Sequence, residues 1–404
     1  MRSTRRRQPG RTPFLLLACL VLAARQGAGQ TASLEPAGPQ TPGGEQIQRA
    51  IDRLGELDYQ TRTEASRTLR RAAPAAVVPA LLAAVDGHAD GYVRYRALVL
   101  LTGFNDPRTI DAMRESLKSP NDRLRTVAFS YFEHHPDAAL APELVAALDR
   151  EQGEFVRPAL VRALASLAGS NAAARAALVP QIARGEDFFR SVVIEALGDY
   201  RAAYAYDDIA AVAALDGPLQ DDAVLALGKI GDPRALEILA GLQKTAPRAA
   251  QPTIAGAICL LGVNCGPHQG YLVDALEFAD ANSGYQALLR SAATALGALA
   301  AADHREAADA LFRIGIPSRD PTRAPVALAL ATVALRNTPL ALALLEQRPD
   351  RDLAIDLLAE GFDMLEEDFE KERFFAAVRR AYWDAPDGSP RRALMQTLIG
   401  VLDF

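Results

Sequence analysis

The segment Asp222–Leu236, DAVLALGKIGDPRAL, decides the fold. An apolar helical stretch runs to the Leu227-Gly228 pair. Asp232-Pro233 then opens a second helix, because an aspartate accepts a hydrogen bond at the N-cap and proline fits the first helical position. In that second helix Ala235, Ile238, Leu239 and Leu242 recur at i, i+3, i+4 and i+7, the stripe of a helix packed on one side. The same grammar stands at Gly103-Phe104-Asn105-Asp106-Pro107, followed by Ile110, Met113 and Leu117. It stands again at His135-Pro136-Asp137, followed by Leu144, Val145 and Leu148.

Working outward, Arg62, Arg94, Arg125, Arg157 and Arg190 are separated by 32, 31, 32 and 33 residues. Each has an apolar residue at +3 (Ala65, Ala97, Ala128, Leu160, Val193) and at +7 (Leu69, Leu101, Phe132, Leu164, Leu197), which marks one helix face. A near-constant period in this range means stacked supersecondary units. No segment shows sustained two-residue alternation of β-branched residues, so the expected class is an all-α solenoid. The length of 404 residues would otherwise suggest two or three domains, but an array grows without dividing into separate cores. Half the residues are apolar, which excludes wholesale disorder or a collagen-like chain.

The 222–236 segment, with Leu197-Gly198 and Leu296-Gly297 echoing it, resembles a HEAT repeat, in particular the short kind found in phycobilin lyases and in many bacterial proteins. The resemblance covers residues 45–345 and is clearest over 58–243. It implies a right-handed superhelix of about nine or ten antiparallel hairpins, with second helices lining the concave side and the arginines forming an internal ladder. It implies no activity. Around Leu261-Gly262 the recurrent arginine gives way to Ile254, and beyond residue 300 the repeats degenerate. The solenoid is assigned to 45–390. A capping helix follows at 391–404, with Leu394, Leu398 and Val401 on one stripe. Ten units spaced about 9 Å apart predict an elongated object of roughly 90 Å.

The chain opens with Arg2, Arg5, Arg6, Arg7 and Arg11, then an apolar run from Phe14 to Ala24, then Gly27-Ala28-Gly29. This is the layout of a secretory signal peptide, assigned to 1–29. Its apolar run of 11 residues is short of the ~20 that span a bilayer. Leu16-Leu17-Ala18-Cys19 resembles a lipobox, but Leu20-Val21-Leu22 continues the apolar run past Cys19, which disfavours lipidation there. The expected location is the periplasm or the exterior. Residues 30–44, rich in Gly, Pro and Thr, read as a flexible linker. Loss of residues 1–29 removes six arginines and no acid, taking the net charge from −6 to −12. Such an acidic chain is a poor ligand for nucleic acid.

Cys259 and Cys265 form a candidate disulfide in an oxidising compartment. Continuous helix would hold their Cα atoms about 9 Å apart, beyond the ~7 Å reach of a bridge. Bonding therefore requires a helix end near Gly262. Otherwise Cys259 is a buried small hydrophobe and Cys265 a free thiol in the turn. Neither His268 beside them nor the adjacent His134 and His135 has metal-ligand spacing, and the two adjacent histidines read as C-terminal caps of a helix. The run Glu366-Glu367-Asp368-Phe369-Glu370-Lys371-Glu372 lacks calcium-loop spacing and reads as a solvated helix face. Tyr382-Trp383 reads as cover for the last apolar layer. No nucleophile elbow, zinc-protease, P-loop, dinucleotide or haem motif occurs. No catalytic residue, cofactor or metal is expected. The expected function is that of an exported scaffold binding a protein or peptide along its concave helical surface. The rivals are a lyase-like or chromophore-handling enzyme, implied by the resemblance alone, and a structural assembly module of an envelope complex.

Overall fold

The computed structural model describes residues 43–404. The signal segment 1–29, Cys19 and nearly all of the linker 30–44 lie outside the described residues. Helices pair as antiparallel hairpins along the chain. The first three pairs are α1 (Gly44–Arg53) with α2 (Tyr59–Arg71), α3 (Pro74–Gly87) with α4 (Gly91–Thr102), and α5 (Thr109–Ser116) with α6 (Asp122–His134). Then come α7 (Ala141–Leu148) with α8 (Val156–Ala168), α9 (Ala172–Leu178), which meets α10 (Asp187–Asp199) through the short 3-10 turn Val179–Ala183 that continues it, and α11 (Tyr206–Ala213) with α12 (Gln220–Ile230). The later pairs are α13 (Ala235–Thr245) with α14 (Gln251–Leu260), α15 (Cys265–Ala281) with α16 (Gln286–Ala301), and α17 (Arg305–Gly315) with α18 (Arg323–Arg336). The last are α19 (Thr338–Gln347) with α20 (Arg351–Met364) and α21 (Asp368–Asp384) with α22 (Pro390–Val401). The described residues thus form an all-α solenoid of eleven hairpins, slightly more than spacing suggests, because α1 precedes the first arginine helix and the degenerate end still folds into pairs.

Local chemistry sets the turns much as the sequence suggests. Asp106 and Asp232 accept the backbone N–H of Arg108 and Arg234, and the helices proper begin one residue further on, past the prolines. The phase of the hairpin differs from the sequence reading, which counts the arginine helix as the first of each unit. In the structure it is the second, and the even-numbered helices from α4 to α20 pack successively on one another as an inner row. Small residues permit this. A Cβ on Gly228 would lie 2.6 Å from the Cα of Ala257, one on Gly198 2.8 Å from the Cα of Ala226, and one on Gly256 3.0 Å from the Cβ of Ala295. The Leu-Gly pairs at 197–198, 227–228 and 296–297 are therefore interior contact points of inner helices. They are not turns.

The row does not run on as independent units, because its last hairpin meets the first inner helices. Helix α21 comes round to lie against α4 and α6, with α18 on its other flank. Two apolar cores result. One runs from Ile47 to Ile258 and includes Phe369 of α21; the other runs from Ala255 to Phe404. Helix α14 contributes to both. In α22 the buried residues are Leu394, Met395, Leu398 and Ile399, whereas Val401, expected on the buried stripe, is exposed. No single described helix is long and apolar enough to cross a membrane. The apolar pair α18 and α19 is bent by 118° and packed in the second core.

Candidate functional site

The arginine series reaches backward. Arg62 donates to the carbonyls of Glu56 and Leu57 (2.8 and 2.7 Å), and Arg94 to that of Val85 (2.7 Å). Arg125 donates to the Ser119 carbonyl (2.8 Å) and to both oxygens of Glu151. Arg157 donates to the carbonyls of Leu148 and Glu151 (2.8 and 2.9 Å), and Arg190 to that of Ile182 (2.9 Å). Each guanidinium, in the first turns of an inner helix, satisfies carbonyls left unpaired where the preceding outer helix ends. The rung continues under other residues that the sequence reading missed. Gln220 donates to Ala213, Gln251 to Gln243 and Ala246, Arg323 to Gly315 and Ile316, and Arg392 to Ala385. The position of Ile254, where the series seems to lapse, is three residues past this substitute, Gln251.

The acidic run at 366–372 is not a solvated face. Asp368, at the start of α21, accepts from Tyr95 and from Arg96 (2.6 Å) on α4. Glu370 lies 2.7 Å from Nε2 of His134 on α6, and Glu372, fully buried, pairs with Arg70 on α2 at 2.7 Å. Phe369 stacks on the His134 ring, their centroids 5.9 Å apart, and Arg67 pairs with Asp403 near the C-terminus. His134 therefore belongs to this closure and is no helix cap, whereas His135 does hydrogen-bond the Tyr131 carbonyl at its helix end (3.0 Å). Burial would raise the Glu370 carboxyl, but the His134 hydrogen bond and the charges of His134, Arg373 and Arg336 hold it down at about 2. Burial and the Asp368 carboxylate push the Tyr95 hydroxyl well up.

Beside the closure, the C-terminal ends of inner helices meet in a polar network. Glu133 accepts from Arg162 (2.8 Å) and Tyr200 (3.0 Å), Arg162 also reaches Asp199 (3.0 Å), and Lys229 reaches Asp199 (2.7 Å). Arg336 of α18 stands 3.8 Å from Glu133, across the inner face. Burial would raise Asp199, but Lys229 and Arg162 bring it to about 2. Glu133, His134 and Glu370 sit close enough to share an ion. Arg162, Arg336 and Arg373 already neutralise those carboxylates, so a divalent cation would meet net repulsion. Further along α10 and α12 the wall is acidic. Glu195 and Asp221 stand exposed there, while burial raises Asp222, to which Ser191 donates (2.6 Å).

The structure brings Cys259 and Cys265 into disulfide contact, their Cα atoms 4.2 Å apart. The helix ends at Leu260 and the chain turns through Gly262 at φ +75°. His304 stands beside Cys265 (3.8 Å), where the sequence places His268 nearby. Tyr382 is buried, but Trp383 is half exposed, with Arg392 over both rings.

The fold and this inner-row chemistry define an α-solenoid of the HEAT-repeat type. Residues 47–133 match the model of the family described as HEAT repeats, so the chain carries HEAT repeats over that stretch. No curated protein matches the sequence. Among solved structures, the chain is similar to the Escherichia coli protein YibA (18% identity, 55% of this chain and 82% of that one, TM-score 0.40). It is also similar to the CpcE–CpcF complex of phycocyanin lyase from a Nostoc species (23% identity, 65% and 97%, TM-score 0.39). A third likeness is to the cohesin loader SCC2 of Chaetomium thermophilum (12% identity, 89% and 35%, TM-score 0.31).

Proposed function

We propose that the protein is an exported, non-catalytic repeat scaffold that binds a protein or peptide along the open part of its inner helix row. The closure by α21 covers the wall of α2, α4 and α6, which moves the expected binding surface to α8, α10 and α12. One observation carries this reading. Phe155 and Phe188, where α8 and α10 begin, and Leu215, just past the end of α11 on the way to α12, are 72%, 52% and 63% exposed in a chain that buries most of its large apolar side chains. Exposed Glu154, Glu186, Asp187 and Asp216 adjoin them in sequence. An apolar rim edged with acids suits a segment carrying apolar and basic side chains. On the adjoining wall Asp199 is engaged by Arg162 and Lys229, and Asp222 by Ser191, which supports recognition over acid–base chemistry at those two.

Affinity capture from envelope extract with the full chain, beside the Phe155→Asp/Phe188→Asp variant, tests the reading. A partner retained by the native chain and lost by the folded variant is expected. Equal capture by both would defeat it. Export is supported by the 1–29 layout and by the cysteine contact, and sequencing the N-terminus of mature protein checks it. A start at Gln30 is expected, a start at Cys19 would mean a lipoprotein, and a retained Met1 would refute export.

A further inference from the structure

The bridge between Cys259 and Cys265 joins two unlike surroundings. Cys259 lies inside α14, fully buried in the second core. Cys265 opens α15, a helix of 17 residues, and is half-buried between exposed Gly262, Val263 and Asn264 on one side and Gly266 and Pro267 on the other. A third group faces the pair. The backbone N–H of His304 donates to the Leu299 carbonyl (3.0 Å) near the end of α16, and its Nδ1 stands 3.8 Å from Sγ of Cys265. One ring nitrogen and both sulfurs lie within 4.8 Å of one another. As a staple the bridge constrains little chain, because it spans a separation of only 6 residues between helices that already pack together. As a reactive group it is better placed, with one cysteine partly exposed, the other buried, and a proton carrier beside both.

We propose that the Cys259–Cys265 bridge is a thiol-exchange site, opened at Cys265 by a thiol-bearing ligand, with His304 carrying the proton. The ligand's S–H proton passes to the His304 ring, and its sulfur bonds to Sγ of Cys265. The bond between the two cysteines breaks, and the Cys259 sulfur leaves with the bonding pair and takes the proton from the ring. The ligand sulfur is thereby oxidised and Cys259 reduced, and the ligand is held on Cys265 as a mixed disulfide. A second thiol on the same ligand can then attack its own bound sulfur, so that the ligand departs as a disulfide and Cys265 is returned as a thiol. The bridge is spent once in each event. The step therefore stands beside the scaffold reading and does not rest on it.

The oxidised full chain is mixed without denaturant with reduced glutathione in one arm and with a synthetic dithiol peptide in the other, then quenched with acid and weighed intact. The bridge should open in the folded chain, and the faster arm tells a small thiol from a protein cysteine as the ligand. His304→Ala should slow the opening at least ~10-fold. With oxidised glutathione, Cys259→Ser should gain an adduct on Cys265 at least ~100-fold faster than Cys265→Ser gains one on Cys259. A bridge that opens only in urea would overturn the proposal, as would equal rates in the two serine variants or an unchanged rate in His304→Ala. So would a zinc ion that the reduced chain holds against a competing chelator, because Cys259, Cys265 and His304 would then be a metal site. Should a serine variant not fold, the two arms on the native chain and on His304→Ala decide.

Discussion

From α2 to α10 each inner helix is tied to the outer helix before it by a guanidinium, as when Arg157 donates to the carbonyls of Leu148 and Glu151. From α10 to α20 the spacing of inner helices is instead fixed by glycine against alanine: 198 on 226, 228 on 257, 256 on 295, 297 on 329 and 361 on 327. Both devices hold the row in register. A polar rung does so by satisfying helix-end carbonyls and tolerates small displacements; a glycine contact does so by steric fit and tolerates none. The first region should therefore be sensitive to loss of charge partners, and the second to added volume.

The largest effect is expected at Glu133, where the two regions face each other. Glu133→Ala leaves the side chains of Arg162 and Tyr200 facing a buried void, and loss of one member of a buried pair costs about 3 to 5 kcal/mol. Urea unfolding measures it, and a loss below about 1 kcal/mol would mean the network adds nothing beyond solvation. Next is Gly361→Ala in the second region. Its Cβ would run into the backbone carbonyl of Ala327 and press on the Ala331 methyl, and overpacking against backbone costs about 3 kcal/mol. A neutral outcome would show that α18 and α20 have slack, and the contrast between the regions would fall.

Acid should weaken the closure before it weakens the ladder. The Glu370 carboxyl sits at about 2 in the folded chain, below its ordinary 4.5, so the unfolded chain binds more protons between those values and stability rises with pH there. The contribution is complete above about 4.5 and is lost on acidification towards about 2, roughly 3 kcal/mol. Urea midpoints recorded across that window should slope for the native chain and slope less for Glu370→Gln, with Asp199 keeping its own share. Parallel slopes would remove Glu370 as the source.

The contrast also explains what the sequence discloses. In the first five units the rung is a guanidinium at one place, so Arg62, Arg94, Arg125, Arg157 and Arg190 stand out at a near-constant period. Gln220 and Gln251 do the same work with a shorter amide, and nothing in one sequence marks a glutamine as a rung. The alanines of the second region serve helix propensity equally well, and the glycines facing them, poor helix formers, read as turn residues, so their contact role is silent until the curvature is known. Least legible is the closure. Glu370 and Glu372 find His134 and Arg70 from 236 and 302 residues away, and acids at such a distance look solvated. The one hint was internal: Phe369, a large apolar group, sits among acids where a solvated face has no use for it.

A smaller effect should follow Arg157→Ala. The guanidinium is almost fully buried and its carbonyl partners would be left unsatisfied, which costs roughly 1 to 2 kcal/mol. Arg157→Lys should recover part of this, since one nitrogen, Nη1, makes both carbonyl bonds and an ammonium can replace it, whereas the Nη2 bond to Gln181 is lost. Full recovery would make the rung a matter of charge and leave the geometry of the fork irrelevant.

The smallest expected change has the opposite sign and sharpens the contrast most. Gly241 lies inside α13, an outer helix, with no atom near the place a Cβ would occupy. It shares residue type and helical setting with Gly228 and Gly361 but touches no inner neighbour. Gly241→Ala removes backbone freedom from the unfolded chain at no steric cost, so it should stabilise by about 0.5 to 1 kcal/mol. Thermal or urea unfolding of Gly241→Ala beside Gly361→Ala then separates two effects of one substitution. If both destabilise, helical context alone governs these glycines and steric spacing of the inner row is not their role; if only the inner one does, curvature is set where the alanine is refused.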